Sequence, residues 1–273
     1  MCKNTYILIY KKRGAKDFYI YNFLHVKFSI CPFYSLSPSN HKIKGGLYMS
    51  EIFSKLFDVE PRAWITVLII ALISIIGLIY LSKDKQNTPS STLRTKKLVY
   101  GGICISISFI LSYIRLFHLP QGGSITPASM FPLVLYSMIF GPVAGIIAGV
   151  AYGFLQLIQD MWVVNIAQLL LDYPLAFACI GLSGLAPSAI KNIHLRTALA
   201  MAIGFFGRGA MHVISGALFF GEYAPEGMNP FIYSLTYNGT MILGELTIAL
   251  ILAMILVSTP VYGTFKKLAT PSF

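Results

Sequence analysis

Charged side chains are scarce in this sequence, and this excludes the ordinary soluble globular class. Only 11% of the 273 residues are Asp, Glu, Lys or Arg, whereas 56% are hydrophobic. Soluble domains carry roughly 25% charged residues. Apolar stretches near the length of about 20 residues needed to cross a bilayer recur along the chain. The composition therefore predicts an all-α polytopic membrane protein.

Signatures of catalysis and of metal binding are missing as well. The sequence holds no GxxxxGK[ST] phosphate-binding loop, so we do not expect this chain to hydrolyse ATP. It holds no HExxH pair, and its four cysteines lack metal-site or redox spacing. An intramembrane enzyme using His212 with Asp172 or Glu245 is the least favoured alternative, because no second helical histidine supports it. We therefore expect no enzymatic activity, no metal and no cofactor.

The net charge of +11 would suit a nucleic-acid-binding protein, but its distribution argues against one. Residues 1–48 carry eight Lys or Arg and one Asp, so +7 of the charge lies there. Most of the other basic residues form short groups beside apolar segments, which is typical of membrane topology signals rather than of a phosphate-binding face. We predict contact with membrane lipid and none with nucleic acid.

Residues 1–48 show neither helical nor strand periodicity. Lys44-Gly45-Gly46 must be encoded by AAR-GGN-GGN, which can contain a bacterial ribosome-binding sequence at a short distance before Met49. We hypothesise that translation begins at Met49 and that residues 1–48 are translated upstream DNA. A disordered basic tail is the alternative.

Seven apolar segments are predicted to be helices: Trp64–Leu81, Leu98–Phe117, Ser129–Phe140, Pro142–Ile158, Val163–Ala186, Thr197–Phe220 and Phe231–Val257. The third is short, and it could be partly re-entrant. The polar linker after the first helix, residues 84–97, is predicted to be a flexible tether. The chain therefore divides into an extra helix with its linker (49–97), a six-helix core (98–260) and a tail (261–273).

Basic residues predict the orientation of the chain. They cluster in alternate loops: Lys83, Lys85, Arg94, Lys96, Lys97, Lys191, Arg196, Lys266 and Lys267. The opposite interhelix loops, at 118–126, Asp160 and 221–230, carry no Lys or Arg. By the positive-inside rule, the basic side faces the cytoplasm of a bacterial cell. The N-terminus is then outside and the C-terminus inside.

Small residues at four-residue spacing predict close helix contacts. Gly145, Gly149 and Gly153 form one such series, and Gly102 and Ser106 form another. These faces can pack within the bundle or against a partner protein. We favour a partner surface for Gly102 and Ser106.

Polar and aromatic residues converge on the predicted outer half of the core, where polar groups in a membrane indicate a functional site. They are Tyr152, Gln156, Trp162, Asp172, Tyr173, His212, Tyr233, Tyr237 and Asn238. One carboxylate among aromatic rings and amides suits a flat, cationic aromatic solute.

Structural alternatives stay open for several of these residues. Asp172 could form an ion pair with Arg208 or His212, and the latter could be a packing histidine. Tyr152 and Trp162 could be interfacial aromatics. For Glu245 we favour a structural role with Arg208, and for Arg115 a position snorkelling to the outer interface.

Five segments, in one colinear order between about Leu98 and Val257, resemble the thiamine-binding S component of energy-coupling factor (ECF) transporters. They are LPQGGS (119–124), LLLDYPLAF (169–177), HVISGALFF (212–220), YAPEG (223–227) and YSLTYNG (233–239). The resemblance implies a six-helix fold with a thiamine pocket under the loop between the first two core helices. It also implies a transmembrane coupling subunit and two ATPase subunits as partners.

The resemblance assigns roles to single positions. Asp172 matches an acidic position that faces the ligand, Tyr173 its neighbouring tyrosine, and His212 the pocket histidine. On the last helix, Tyr233 and Asn238 match a hydrogen-bonding pair.

Other positions match with differences. Phe220 stands at an aromatic stacking position, while Tyr152 and Trp162 fall at aromatic wall positions but differ in ring type. Gly102 and Ser106 match small residues that dock the coupling subunit. Some members place tryptophan and glutamate in the loop here reading GGSITPAS, which has neither. The helix at 64–81 lies outside the resemblance.

The resulting hypothesis is an S subunit that captures thiamine from outside. An S component for another small molecule, such as a hydroxymethylpyrimidine or another vitamin, is the main alternative. The scarcity of basic residues at the predicted pocket argues against phosphorylated thiamine.

Overall fold

The computed structural model describes Ser54 and residues 56–83, 91–118, 123–159 and 161–269. The helices are α1 (Pro61–Lys83), α2 (Ser91–Ser112), α3 (Phe131–Phe140), α4 (Pro142–Gln159), α5 (Ile166–Leu185), α6 (Ile193–Phe219), α7 (Pro230–Ser258) and α8 (Pro260–Ala269). The hypothesis of a translation start at Met49 and the turn at Asp160 lie outside the described residues.

The predicted count of apolar helices is confirmed. Within the described part of the chain, six helices are long and apolar enough to cross a membrane, and α3 is a shorter apolar helix. At about 1.5 Å per residue, its ten residues span only half of the hydrocarbon layer. The fold is therefore a six-helix core, α2 to α7, with the additional helix α1 before it.

Both ends of α2 differ from the prediction. The helix begins at Ser91, so the second half of the linker predicted to be a tether is helical. Lys97 contributes its carbonyl to a 3.0 Å hydrogen bond from the Tyr136 hydroxyl, which ties this first part of α2 to α3. The helix ends at Ser112 rather than Phe117, because the chain there turns into a short antiparallel hairpin. Its strands are β1 (Phe117–His118) and β2 (Ser124–Ile125).

The predicted C-terminal tail also contains a helix. In α8, Lys266 and Lys267 lie in the last turn, and Phe265 packs edge-on against Tyr100 with 5.1 Å between ring centroids. Because Tyr100 belongs to α2, this contact brings α8 against the helix that opens the core.

Glycines set how closely α4 approaches α5. A Cβ atom on Gly149 would collide with the carbonyl of Phe177, and one on Gly153 would lie 2.6 Å from the carbonyl oxygen of Tyr173. This small-residue face therefore packs inside the bundle. Gly102 differs, since a Cβ atom there would meet nothing within 4 Å.

The middle of α5 departs from regular α-helix. Leu171–Leu175 form a π-helical turn, in which the Ala176 N–H bonds to the carbonyl of Leu171, five residues back. Pro174 lies inside this turn and has no N–H to donate. Such turns often occur at functional sites, and this one carries Asp172.

Candidate functional site

One cavity lies among α4, α5, α6, α7 and the segment that follows α2. Its volume is about 160 Å³. A water molecule needs only about 10–15 Å³ of such space, so the cavity can hold a small organic molecule. All eight side chains predicted to bind a ligand line it: Tyr152, Trp162, Asp172, Tyr173, His212, Phe220, Tyr233 and Asn238.

The carboxylate of Asp172 is held by three side chains at the wall of this cavity. Its Oδ1 lies 2.9 Å from Nδ1 of His212, and its Oδ2 accepts hydrogen bonds from Gln168 Nε2 (2.6 Å) and Ser215 Oγ (2.8 Å). A carboxylate offers only acceptors, so the Nδ1 atom carries the proton of this contact. The geometry fixes one negative group in place rather than leaving it to move.

Two buried nitrogen atoms at the same cavity have no hydrogen-bond partner among the described residues. They are Nε2 of His212 and Nε1 of Trp162. Buried polar atoms are nearly always hydrogen-bonded, to protein or to water. Both residues line the cavity, which makes these atoms available to a bound molecule.

The loop before α5 holds Trp162 against the Asp172 site. The backbone N–H of Trp162 donates to the hydroxyl of Tyr173 at 2.8 Å, and its carbonyl accepts from Gln168 Nε2 at 3.1 Å. Asn165 caps α5 by accepting from the N–H of Gln168. The side chain of Gln168 therefore connects Trp162 to Asp172.

The wall formed by α6 and α7 depends on a close helix contact. A Cβ atom on Gly216 would collide with Ser234 Oγ and lie 3.0 Å from Asn238 Nδ2. The amide nitrogen of Asn238 reaches the carbonyls of His212 (3.2 Å) and Ser234 (3.1 Å). Its Oδ1 atom is then the group that can accept a hydrogen bond from a ligand.

Aromatic rings form the rest of this wall. Tyr233 and Tyr237 stack on each other on α7, with centroids 6.3 Å apart, and Phe220 lies 6.1 Å from Tyr223. Phe220, Tyr233 and Tyr237 all line the cavity. Their rings can enclose a flat aromatic ligand or make cation–π contacts.

A second ion pair closes another part of the cavity. Arg208 on α6 lies 2.6 Å from Glu245 on α7, and both side chains are less than a tenth exposed. Thr126 donates to the other oxygen of Glu245 at 2.6 Å, and Arg208 lies 5.1 Å from the ring centre of Phe177. The predicted pairing of Glu245 with Arg208 is confirmed, and it ties the segment after β2 to α7.

Two sequence-based interpretations are wrong. Tyr152 is completely buried, so it is not an interfacial aromatic. Arg115 lies beyond the end of α2 and, like Arg208, lines the cavity, so the expected scarcity of basic residues at the pocket does not hold. The reason is that α2 ends five residues earlier than its apolar pattern suggests.

The sequence reasoning missed several polar residues that line the cavity or bond to a side chain of its wall. Gln168 precedes Asp172 by four residues and Ser215 follows His212 by three, so helical spacing could have found both. Ser112 was not detectable, because it is linked to Gln156 and Gln159 across two helices. Among the described residues, no group of three His, Cys, Asp or Glu could hold a metal ion.

An apolar helix bundle that encloses one polar cavity with aromatic walls defines a membrane protein that binds a small solute. Residues 98–262 match the sequence profile of a family described as thiamine transporter protein (Thia_YuaJ). This chain belongs to that thiamine transporter family.

Individual relatives agree with this family. The thiamine transporter ThiT of Bacillus subtilis strain 168 is 39% identical over 177 residues, which cover 60% of this chain and 92% of that protein. ThiT of Lacticaseibacillus paracasei is 32% identical over 142 residues, covering 47% of this chain and 71% of that protein. The solved structure of ThiT from Listeria monocytogenes has a TM-score of 0.55 and 28% identity, and covers 65% of this chain and 99% of that chain. The relatives are named as transporters rather than enzymes.

Proposed function

We propose that this chain is the substrate-binding S subunit of an ECF-type transporter, which captures thiamine from outside and delivers it inward with separate ATPase subunits. The observation that carries the proposal is Asp172, a carboxylate fixed by His212, Gln168 and Ser215 at the wall of a cavity with aromatic sides. A fixed anion in a cavity of low dielectric favours a cationic ligand.

The chemistry of thiamine matches the groups around the cavity. Its thiazolium ring is a permanent cation, which Asp172 would offset. Its aminopyrimidine ring is a flat heterocycle with an amino donor and ring-nitrogen acceptors. These suit Oδ1 of Asn238, Nε2 of His212 and Nε1 of Trp162, of which the last two are buried without a partner among the described residues. The rings of Phe220 and Tyr233 supply the stacking surface.

The basic loops support the proposed orientation. Lys191 and Arg196 flank the start of α6, whereas the loop 221–230 at its other end has no Lys or Arg. The cavity is lined by Phe220 and Tyr233, which flank the loop 221–230, and by Ser124 of the hairpin, so the positive-inside rule puts this end of the cavity outside. The N-terminus is then outside and the C-terminus is cytoplasmic.

Coupling to other subunits is supported by the face of α2 that carries Gly102 and Ser106. Both residues are exposed, and the hydroxyl of Ser106 bonds within the helix to the carbonyl of Gly102 at 2.9 Å. Such a flat face allows a second helix to approach closely. We propose that it docks a transmembrane coupling subunit, which connects the S subunit to two ATPase subunits.

Thiamine binding to the purified chain tests the proposal. Because the chain has only two tryptophans, Trp64→Phe leaves Trp162 at the cavity as the single tryptophan signal. Thiamine should quench it without ATP, and Asp172→Asn and His212→Ala should each weaken binding about 30-fold or more. Glu222→Gln and His194→Ala are matched controls, since both side chains are exposed away from the cavity wall.

Competition experiments identify the ligand. Thiamine that binds tightly, and that an uncharged hydroxymethylpyrimidine displaces only at high concentration, supports the role of the carboxylate. A well-folded chain that binds the pyrimidine better than thiamine would contradict the proposed ligand. Equal binding by Asp172→Asn and the wild type would contradict the proposed site.

A further inference from the structure

Helix α1 is an addition to the fold of the family. The family profile begins at residue 98, and the matched structure covers 65% of this chain but 99% of its own. Pro61–Lys83 therefore has no counterpart in the matched region. A function for α1 must be found in what it contacts.

One narrow stripe of α1 is buried against the core. Ala63 and Val67, one turn apart, are each only 3% exposed, whereas Leu68 and Ile73 are each 63% exposed. Val67 forms a buried apolar cluster with Ala167 and Leu171 of α5. The large exposed side of α1 is suited to contact with lipid, whereas the buried stripe packs against α5.

This cluster lies beside the residues of α5 that line the cavity. Ala167 and Leu171 immediately precede Gln168 and Asp172 in the chain. Since consecutive residues of a helix point about 100° apart around its axis, Ala167 and Leu171 lie on a face next to that of Gln168 and Asp172. The cluster is widened on α6 by Met211 and Ile214, the neighbours of His212 and Ser215. Helix α5 therefore presents the site on one face and contacts α1 on a neighbouring face, and α6 adds apolar contacts to the same cluster.

The part of α5 that carries Asp172 depends on packing by neighbouring helices, because its backbone hydrogen bonding is irregular. Leu171 is the first residue of the π-helical turn, and Pro174 interrupts the backbone hydrogen-bond ladder within it. Because helices in proteins depend largely on tertiary packing, an interrupted one depends on its neighbours more strongly. The side chain of Leu171 is completely buried, and the cluster with Val67 contributes to that burial.

We infer that α1 is a brace for the ligand-binding wall, in which Val67 acts as a positioning residue that holds the π turn and thus the carboxylate of Asp172. The inference rests on the proposed binding of thiamine at this cavity. It gives the added helix a role in retaining bound ligand. The small-residue face at Gly102 stays open on α2.

Three full-length variants in lipid nanodiscs test this role. Val67→Ala removes two methyl groups from the buried stripe, Val67→Ile keeps a branched apolar side chain there, and Leu68→Ala changes the neighbouring lipid-exposed position. The dissociation rate of labelled thiamine should rise roughly three- to tenfold in Val67→Ala. It should stay near the wild-type rate in the other two variants.

The number of binding sites separates positioning from a general loss of folding. A variant that merely unfolds more would show fewer sites with an unchanged dissociation rate. A brace predicts the same number of sites with faster dissociation. An unchanged rate in Val67→Ala, with normal binding by the wild type, would overturn the inference.

Hydrogen exchange tests the brace independently of the ligand. Peptides covering residues 166–175 should exchange faster in Val67→Ala than in Leu68→Ala, because local opening of the π turn becomes easier. If the wild type bound no thiamine, the proposed function would fail, and this exchange difference would still support the brace. Equal exchange in the two variants would overturn it.

Discussion

Asp172 on α5 and His212 on α6 are 40 residues apart in the chain, and their side chains meet at 2.9 Å. Asp172 lies in the π turn of α5, and both residues line the cavity. Each partner has further connections: Ser215 also donates to the carboxylate, and Asn238 donates to the carbonyl of His212. The site is therefore a network across three helices rather than a single pair.

The first prediction concerns Ser215, which is completely buried and donates to Oδ2 of Asp172 at 2.8 Å. Ser215→Ala should weaken thiamine binding about tenfold, since a hydrogen bond to a charged group contributes roughly 1.5–3 kcal/mol. Titration of the purified protein measures this. Ser258→Ala, which removes an exposed hydroxyl at the end of α7, should change nothing. Equal affinities of the two variants would show that Ser215 does not support the carboxylate.

Most of the side chains that line the cavity could be predicted from the sequence because they lie in local motifs at helical spacing. Tyr233 and Asn238 belong to α7, His212 belongs to α6, and Phe220 directly follows the last residue of α6. The π turn could not be predicted, because a single extra residue in a helical turn leaves almost no trace in an apolar pattern. Pro174 was its only signal.

The positions missed by the sequence reasoning depend on contacts between distant segments. Ser112 and Gln159 are 47 residues apart and meet only after α2 and α4 pack together. The early end of α2 follows from pairing of Phe117 with Ile125 in the hairpin, which apolar residues do not reveal. That early end is also what brings Arg115 to the cavity.

A second prediction concerns the buried ion pair of Arg208 and Glu245. Glu245→Gln keeps an oxygen for the hydrogen bond from Thr126 but leaves a buried guanidinium without its anion. Unpaired buried charges are costly, so the free energy of unfolding should fall by about 3–5 kcal/mol. Thermal unfolding in detergent measures the loss. Adding Arg208→Met to the same chain should recover much of it, and a double variant no more stable than Glu245→Gln would contradict this explanation.

A third prediction concerns Arg115 and the charge of the ligand. Arg115 is one of the residues that line the cavity, so we expect its guanidinium to contact a phosphate on the hydroxyethyl arm of thiamine monophosphate. Arg115→Gln should weaken binding of thiamine monophosphate about tenfold, because charge-assisted hydrogen bonds contribute roughly 1.5–3 kcal/mol. Thiamine itself carries no phosphate and should bind at least as well as before.

The ratio of the two affinities is the informative measurement for Arg115. Arg94→Gln, at an exposed position in the first turn of α2, is a matched control that should leave the ratio unchanged. If Arg115→Gln lowered the affinities for both ligands equally, Arg115 would support the structure of the cavity rather than bind the phosphate.

The fourth prediction separates ligand capture from coupling by means of two glycines. Gly149→Ala puts a Cβ atom onto the carbonyl of Phe177, so it should destabilise the contact between α4 and α5 and lower both stability and thiamine binding. Gly102→Leu adds a side chain where nothing lies within 4 Å. It should leave stability and thiamine binding unchanged.

Uptake measurements then test the proposed docking face. In cells that supply the coupling and ATPase subunits, Gly102→Leu should reduce thiamine uptake about tenfold or more, because a bulky side chain keeps two helices from close contact. Ile110→Ala, at another exposed position on α2, controls for a general effect of changing this helix surface. Normal uptake by Gly102→Leu would place the coupling surface elsewhere, while loss of thiamine binding by the same variant would mean that this face supports the cavity.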